Sequence, residues 1–242
     1  MDLKREDGYK IDIDKLREKL NKQFDLFIWV NPNSPTGLHI NKKEVESILL
    51  NSKGCKRIWI DETYIEYVGK DQTLDKVAEK SNNIFVCKSM SKVYALSGVR
   101  TAYLCAHPMN ILQLKKKKIT PPWVISLPAQ IASIYALKEE AYYLKRYKET
   151  HKLRNSLRDE HNKIGIDEII PGVANFIMFH INNDKFSASA IVKECKKEKL
   201  YLRDVTGMGR SFNDNAIRMA VKDKNTNNKM IKVLRECLEK YN

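Results

Sequence analysis

Three short apolar runs, each ending in polar residues, constrain this chain most: Phe24 to Val30, Ile58 to Ile60 and Ile84 to Val86. Apolar runs of this length bounded by turn residues read as buried strands. The first leads into Asn31-Pro32-Asn33-Ser34-Pro35-Thr36-Gly37 and the second into Asp61-Glu62-Thr63-Tyr64. The third leads into Cys87-Lys88-Ser89-Met90-Ser91-Lys92 and on through Leu96-Ser97-Gly98-Val99-Arg100. Three successive strands that end in polar residues point to an open α/β sheet, where ligands bind beyond the carboxyl ends of the strands.

The remaining chain fits that frame. Met1 to Asp12 reads as a connecting segment and Ile11 to Leu20 as a short surface helix. Asn41 is expected to cap a helix, with Glu44 placed as in a capping box and Gly54 just past the end. A helix is expected at Leu74 to Glu79 and a fourth strand at Thr101 to Ala106. Pro108 is placed to start another helix. Ala129 to Arg158 reads as one long helix with Ile131, Ile134, Tyr135 and Leu137 at helical spacing. A second α/β unit follows: strands at Asn175 to Ile181, Leu200 to Val205 and Ala216 to Val221, with helices at Ala188 to Glu198 and Asn225 to Tyr241. A Gly-containing loop is expected at Thr206 to Asn215. The domain division is therefore read as 1–145 and 146–242.

Composition sets outer bounds. A chain of 242 residues, 43% hydrophobic and 31% charged, can bury a sizeable core. No apolar run is long enough to cross a bilayer, and Met1-Asp2-Leu3-Lys4 lacks a signal-peptide core, so no membrane partner is expected. Cys55, Cys87, Cys105, Cys195 and Cys237 contain no CxxC pair, which argues for reduced thiols, no metal site and a cytoplasmic location. The net charge is +14. Nucleic acid is not expected to explain it, because lysines alternate with glutamates at helical spacing, as in Lys193 to Lys199. Lys115 to Lys118, beside Pro121-Pro122, is the one dense basic run.

The chemistry concentrates after the third strand. Ser89, Ser91 and Arg100 supply hydroxyls and a planar guanidinium, which suit a phosphate. Lys92 suits covalent chemistry on a carbonyl, because a deprotonated amine can form a Schiff base with it. Taken alone, this segment also reads as a solvated turn.

Taken with Asn31-Pro32-Asn33-Ser34-Pro35-Thr36-Gly37 and Asp61-Glu62-Thr63-Tyr64, it resembles the pyridoxal-phosphate (PLP) aminotransferases of fold type I, class I and II. The branch it is most similar to holds the histidinol-phosphate aminotransferases and threonine-phosphate decarboxylases. The spacing of Arg100 from Lys92, and Arg218 in Ala216-Ile217-Arg218-Met219-Ala220-Val221, carry the likeness further. It runs from about Tyr9 to the end.

The resemblance implies a partial PLP-binding large domain with a mostly parallel sheet, followed by a small C-terminal α/β domain. It implies Lys92 as the catalytic Schiff-base lysine and proton carrier. Asp61 would hold the pyridinium proton, Asn31 and Tyr64 the 3′ oxygen, and Ser89, Ser91 and Arg100 the phosphate. Arg218 would take the substrate carboxylate. Arg203 is open between a substrate phosphate or carboxylate and an ion pair with an acid such as Asp204. Asp61 also reads as a turn aspartate, Tyr64 as a core aromatic and Asn31 as a turn cap.

The sequence departs from the family on its N-terminal side. A Gly-rich phosphate loop at a helix N-terminus, an aromatic that stacks on the cofactor ring and a tyrosine reaching across the dimer are expected and have no match before Asn31. The chain thus reads as the C-terminal portion of an aminotransferase, with activity weakened or absent on its own. The implied reaction moves an amino group between an amino acid and a 2-oxo acid, with a phosphorylated substrate left open, in a homodimer. Decarboxylation at the same site, or a non-catalytic interaction domain, are the alternatives.

Overall fold

A computed structural model describes all residues except 118, 120, 122, 183–185, 213–214 and 241–242. The end of the basic run at Lys118, Pro122, residues 213–214 of the Gly-containing loop and the expected helix end at Tyr241 therefore lie outside the described residues. The chain divides into two compact units. The first is Ile11–Asn33 with His39–Lys145; the second is Met1–Lys10 with Ser34–Leu38 and Arg146–Asn242. Two segments read from the sequence as parts of 1–145, Met1–Lys10 and Ser34–Leu38, thus group with the C-terminal residues.

In the first unit, α1 (Ile13–Leu20) starts at Asp12, whose carboxylate accepts the Asp14 and Lys15 N–H groups. Strands β1 (Phe27–Val30), β2 (Ile58–Asp61), β3 (Ile84–Ser89) and β4 (Ala102–Cys105) form one sheet in that order. β1, β2 and β3 are parallel and β4 is antiparallel. Helices α2 (Lys42–Asn51) and α3 (Asp75–Lys80) connect them. One sheet face, Trp29, Ile58, Ile60, Ile84 and Val86, is buried against Leu16 and Leu20 of α1, Val45 and Leu49 of α2, and Leu74 and Val77 at the start of α3. On the other face Ile28 is 63% exposed.

Local signals placed several boundaries well. Asn41 caps α2 by accepting the Lys43 N–H. Gly54 has a different role from the one expected: α2 already ends at Ser52, and a Cβ on Gly54 would sit 2.3 Å from the Asn21 carbonyl carbon. Glycine there permits a close crossing of two backbones. A short helix, α4 (Met90–Val93), follows β3, and α5 (Pro108–Lys116) starts on its proline. The long helix expected at Ala129 to Arg158 is instead α6 (Leu127–Lys138) and α7 (Glu140–Lys163), parted at Glu139. In α6 the buried residues are Ala129 and Ala136, while Ile131, Ile134, Tyr135 and Leu137 are exposed.

The second unit holds an antiparallel sheet in the order β5 (Ile169–Ile170), β6 (Phe176–His180), β8 (Ala216–Ala220), β7 (Arg203–Asp204). β7 is shorter than the expected Leu200 to Val205 strand, and β5 was not expected. α8 (Ala188–Lys197) and α9 (Lys224–Glu239) cover one face through Ile191, Cys195, Ile231, Leu234 and Cys237. The other face buries Tyr9, Met178, Val205, Phe212 and Ala216. Met1–Lys10 is thus more than a connection. Tyr9 is fully buried, its hydroxyl 2.9 Å from His180 Nε2, and Arg5 pairs with Glu168.

Candidate functional site

Parallel pairing decides which side chains meet. Val30 pairs with Asp61 and Asp61 with Cys87, so the carboxyl ends of β1, β2 and β3 share one sheet edge. The backbone continues the alignment: Asn31 N–H donates to the Asp61 carbonyl at 3.0 Å and Glu62 N–H to the Cys87 carbonyl at 2.9 Å. Asn31, Asp61 and Ser89 therefore stand at neighbouring strand ends.

Asn31 is buried, and its amide spans Ile40. Nδ2 donates to the Ile40 carbonyl at 3.0 Å and Oδ1 accepts the Ile40 N–H at 2.9 Å. One Nδ2–H remains for a further acceptor. Asp61 Oδ1 accepts from the Thr63 N–H (2.9 Å) and hydroxyl (2.5 Å), which orients the carboxylate and leaves Oδ2 out of these bonds. Tyr64, 7% exposed, precedes a 3-10 turn at Ile65–Tyr67.

After β3, the Ser89 hydroxyl caps α4 by accepting the Ser91 N–H at 3.3 Å. Lys92 lies on that helix with an exposed side chain. The chain then bends through left-handed backbone at Ala95 and Arg100, both at φ 56°. Arg100 is exposed and donates to the Ser97 carbonyl at 2.9 Å. Asn31, Asp61, Tyr64, Ser89, Ser91, Lys92 and Arg100 all belong to the first unit.

Arg203 and Arg218 belong to the second unit and face each other in the β7–β8 pair. The Arg218 guanidinium stacks over Phe176, 4.7 Å from the ring centroid, and donates to Ser34 Oγ at 2.9 Å. Among the described residues Arg203 forms no ion pair with Asp204, whose carboxylate instead accepts from Thr206 at 2.6 and 2.9 Å.

Sequence reasoning missed a buried charge cluster behind the strand ends. Lys88 Nζ lies 3.1 Å from Asp75, 3.4 Å from Glu62 and 3.9 Å from Glu66. The signal was available: Lys88 follows Ile84 and Val86 at alternate positions, which turns it inward.

Over residues 1–234 the chain matches the aminotransferase class I and II family. It belongs to that family. It is 28% identical over 231 residues to a histidinol-phosphate aminotransferase of Rhodopseudomonas palustris, covering 94% of this chain and 61% of that protein. The solved histidinol-phosphate aminotransferase from Clostridium acetobutylicum matches with a TM-score of 0.84 at 27% identity, over 96% of this chain and 69% of that one. A decarboxylase from Sulfurospirillum multivorans matches with a TM-score of 0.85 over 98% of this chain and 69% of that one; at 22% identity this shows the fold alone. The chain therefore spans about 61% of the length of the curated relative it matches. Among its described residues no helix is long and apolar enough to cross a membrane.

Proposed function

We propose that this chain carries the PLP-binding lysine and much of the cofactor site of an aminotransferase that moves an amino group between an amino acid and a 2-oxo acid. The observation that carries this reading is the alignment of Asn31, Asp61 and Ser89 at three adjacent strand ends, with Lys92 on the turn that follows. The donor set fits PLP. Asp61, oriented by Thr63, offers a carboxylate to a pyridinium nitrogen. Asn31 keeps one N–H for the 3′ oxygen, and Tyr64 would direct its phenol there. Ser89, Ser91 and Arg100 offer hydroxyls and a guanidinium to the phosphate. When bound, PLP supplies the electron sink on which transamination depends. The protein's part is to hold it, and Lys92 is the amine that binds it and carries the proton.

The facing arginines of the second unit favour an anionic substrate. Two like charges directly opposite on a sheet are unfavourable unless an anion lies against them. Arg218 and Arg203 would bind a carboxylate or phosphate of the amino acid. Self-association belongs to the same reading: β1 and β4 are edge strands of the sheet, and an exposed edge pairs readily. Free Cys55, Cys87, Cys105, Cys195 and Cys237 fit a reducing compartment such as the cytoplasm.

The test is a titration with PLP followed by borohydride reduction and peptide mapping. A visible absorbance band and a pyridoxyl group on Lys92 are expected. Absence of the band, or labelling scattered over surface lysines, would sink the reading. With cofactor bound, a 2-oxo acid product supports transamination, whereas carbon dioxide would show decarboxylation at the same residues.

A further inference from the structure

The buried Lys88 cluster stands directly behind the cofactor residues. On β3, Ile84, Val86 and Lys88 point to the helix-covered face, while Phe85, Cys87 and Ser89 are only half-buried on the other. On β2, Asp61 follows the half-buried Trp59, and the next residue, Glu62, is fully buried. Each strand thus carries a site residue on one face and, one position away, a member of the ion cluster on the other.

The cluster joins separate stretches of chain. Lys88 is 5% exposed and draws in Glu62 from the end of β2, Glu66 from the Ile65–Tyr67 turn and Asp75 from the start of α3. Glu62 also accepts the Leu74 N–H at 2.8 Å and the Thr73 hydroxyl at 2.5 Å. Burial pulls Lys88 down, but Glu62, Glu66 and Asp75 raise it on balance, so it stays an ammonium. One ammonium among three acidic side chains is a poor general stabiliser, because apolar side chains of similar volume often do as well. What such a cluster can do is fix one arrangement of its strands.

We propose that Lys88 is a positioning residue: by holding Glu62, Glu66 and Asp75 against β3 on the covered face, it sets Asp61 and Tyr64 relative to Ser89 and Lys92. The effect on cofactor rests on the aminotransferase reading above; the effect on the strand ends does not.

The experiment compares the full chain with Lys88→Arg, Lys88→Met and the double variant Lys88→Met/Glu62→Gln, which removes one charge of each sign and guards against simple unfolding. Hydrogen exchange of the cofactor-free chain is read at the Leu74, Glu62 and Ile65 amides. PLP affinity and the pH profile of its visible band are read in parallel. The double variant is expected to melt as a folded protein, to exchange at these amides at least tenfold faster and to bind PLP about tenfold more weakly with a shifted band profile. Lys88→Arg should recover most of both effects. Parental exchange rates in the double variant, or parental PLP affinity and band profile, would overturn the proposal. So would failure of Lys88→Arg to rescue. If the parent chain itself shows no PLP band, the aminotransferase reading fails and the exchange measurement alone decides the role of Lys88.

Discussion

Arg203 and Arg218 stand directly opposite each other across the β7–β8 pair, two cations on one ladder position. The Arg218 guanidinium stacks over Phe176 and donates to Ser34 Oγ. An anion placed against both guanidiniums would relieve their repulsion. Inorganic phosphate should therefore stabilise the second unit. At ten times its dissociation constant it would add about 1.4 kcal/mol to unfolding. Thermal melts with and without phosphate, at matched ionic strength, check this. Arg203→Ala should abolish the increment; an equal increment in that variant would show that phosphate acts elsewhere.

Close backbone contacts at Gly37 and Gly172 seat the Pro-rich turn. Gly37 has φ 73°, and its carbonyl accepts the Val173 N–H at 2.8 Å. A Cβ on Gly172 would sit 2.5 Å from the Thr36 carbonyl oxygen and 2.9 Å from Gly37 Cα, against backbone that cannot swing aside. Gly172→Ala should cost roughly 2 kcal/mol or more, in the range of other steric insertions. Hydrogen exchange at Val173 should quicken with it. Protection equal to the parent would mean that Ser34–Leu38 is not held by this contact.

The two units should respond to pH with opposite sign. In the second, burial lowers His161 and His180 to about 4 each. Folded histidines that refuse protons which the unfolded chain accepts stabilise the fold above the ordinary histidine value. That stability is lost as pH falls from about 6.5 toward 4, by up to roughly 3 kcal/mol per residue. In the first unit, burial raises Glu66 to about 7. It faces Lys88, Glu62 and Asp75, with Tyr94 and Tyr103 adjacent. The folded form then holds a proton that the unfolded chain releases, so its contribution is full below about 4.5 and lost as pH rises through about 7. Hydrogen-exchange protection at Phe179 and at Ile60, corrected for the intrinsic pH dependence of exchange, should therefore change in opposite directions between pH 4.5 and 7. Glu66→Gln should flatten the slope at Ile60 alone and stabilise the first unit by about 2 kcal/mol at pH 8.

What could be read from the chain follows from how local each signal is. The strands β1, β2 and β3 and their polar ends were legible because an apolar run and the turn after it are adjacent in sequence. Asn41 and Pro108 were legible for the same reason. The break between α6 and α7 was not: Glu139 takes ψ 47° with neither glycine nor proline to mark it. Tyr9 reads as an ordinary linker residue, yet it is buried by contacts to His180 and Phe212, far away in sequence. Of the site, the residue types were legible, but the Asn31 amide spanning Ile40 and the Ser34 hydroxyl accepting from Arg218 arise only once the chain has folded.

The last prediction separates holding the fold from holding the cofactor. Asp61 Oδ1 accepts from both the Thr63 N–H and hydroxyl, and an amide oxygen in Asp61→Asn can accept the same two bonds. The variant should therefore melt within about 0.5 kcal/mol of the parent, as do substitutions that break no named interaction. What it loses is the negative charge. A charge-assisted bond to a pyridinium is roughly twice as strong as a neutral one. PLP affinity should fall at least about tenfold, equivalent to about 1.4 kcal/mol. The visible band should also move, because the ring nitrogen is no longer held protonated. An unchanged band at parental affinity would show that Asp61 serves only to turn the chain at Thr63, and the acid of the site would have to be sought among other residues.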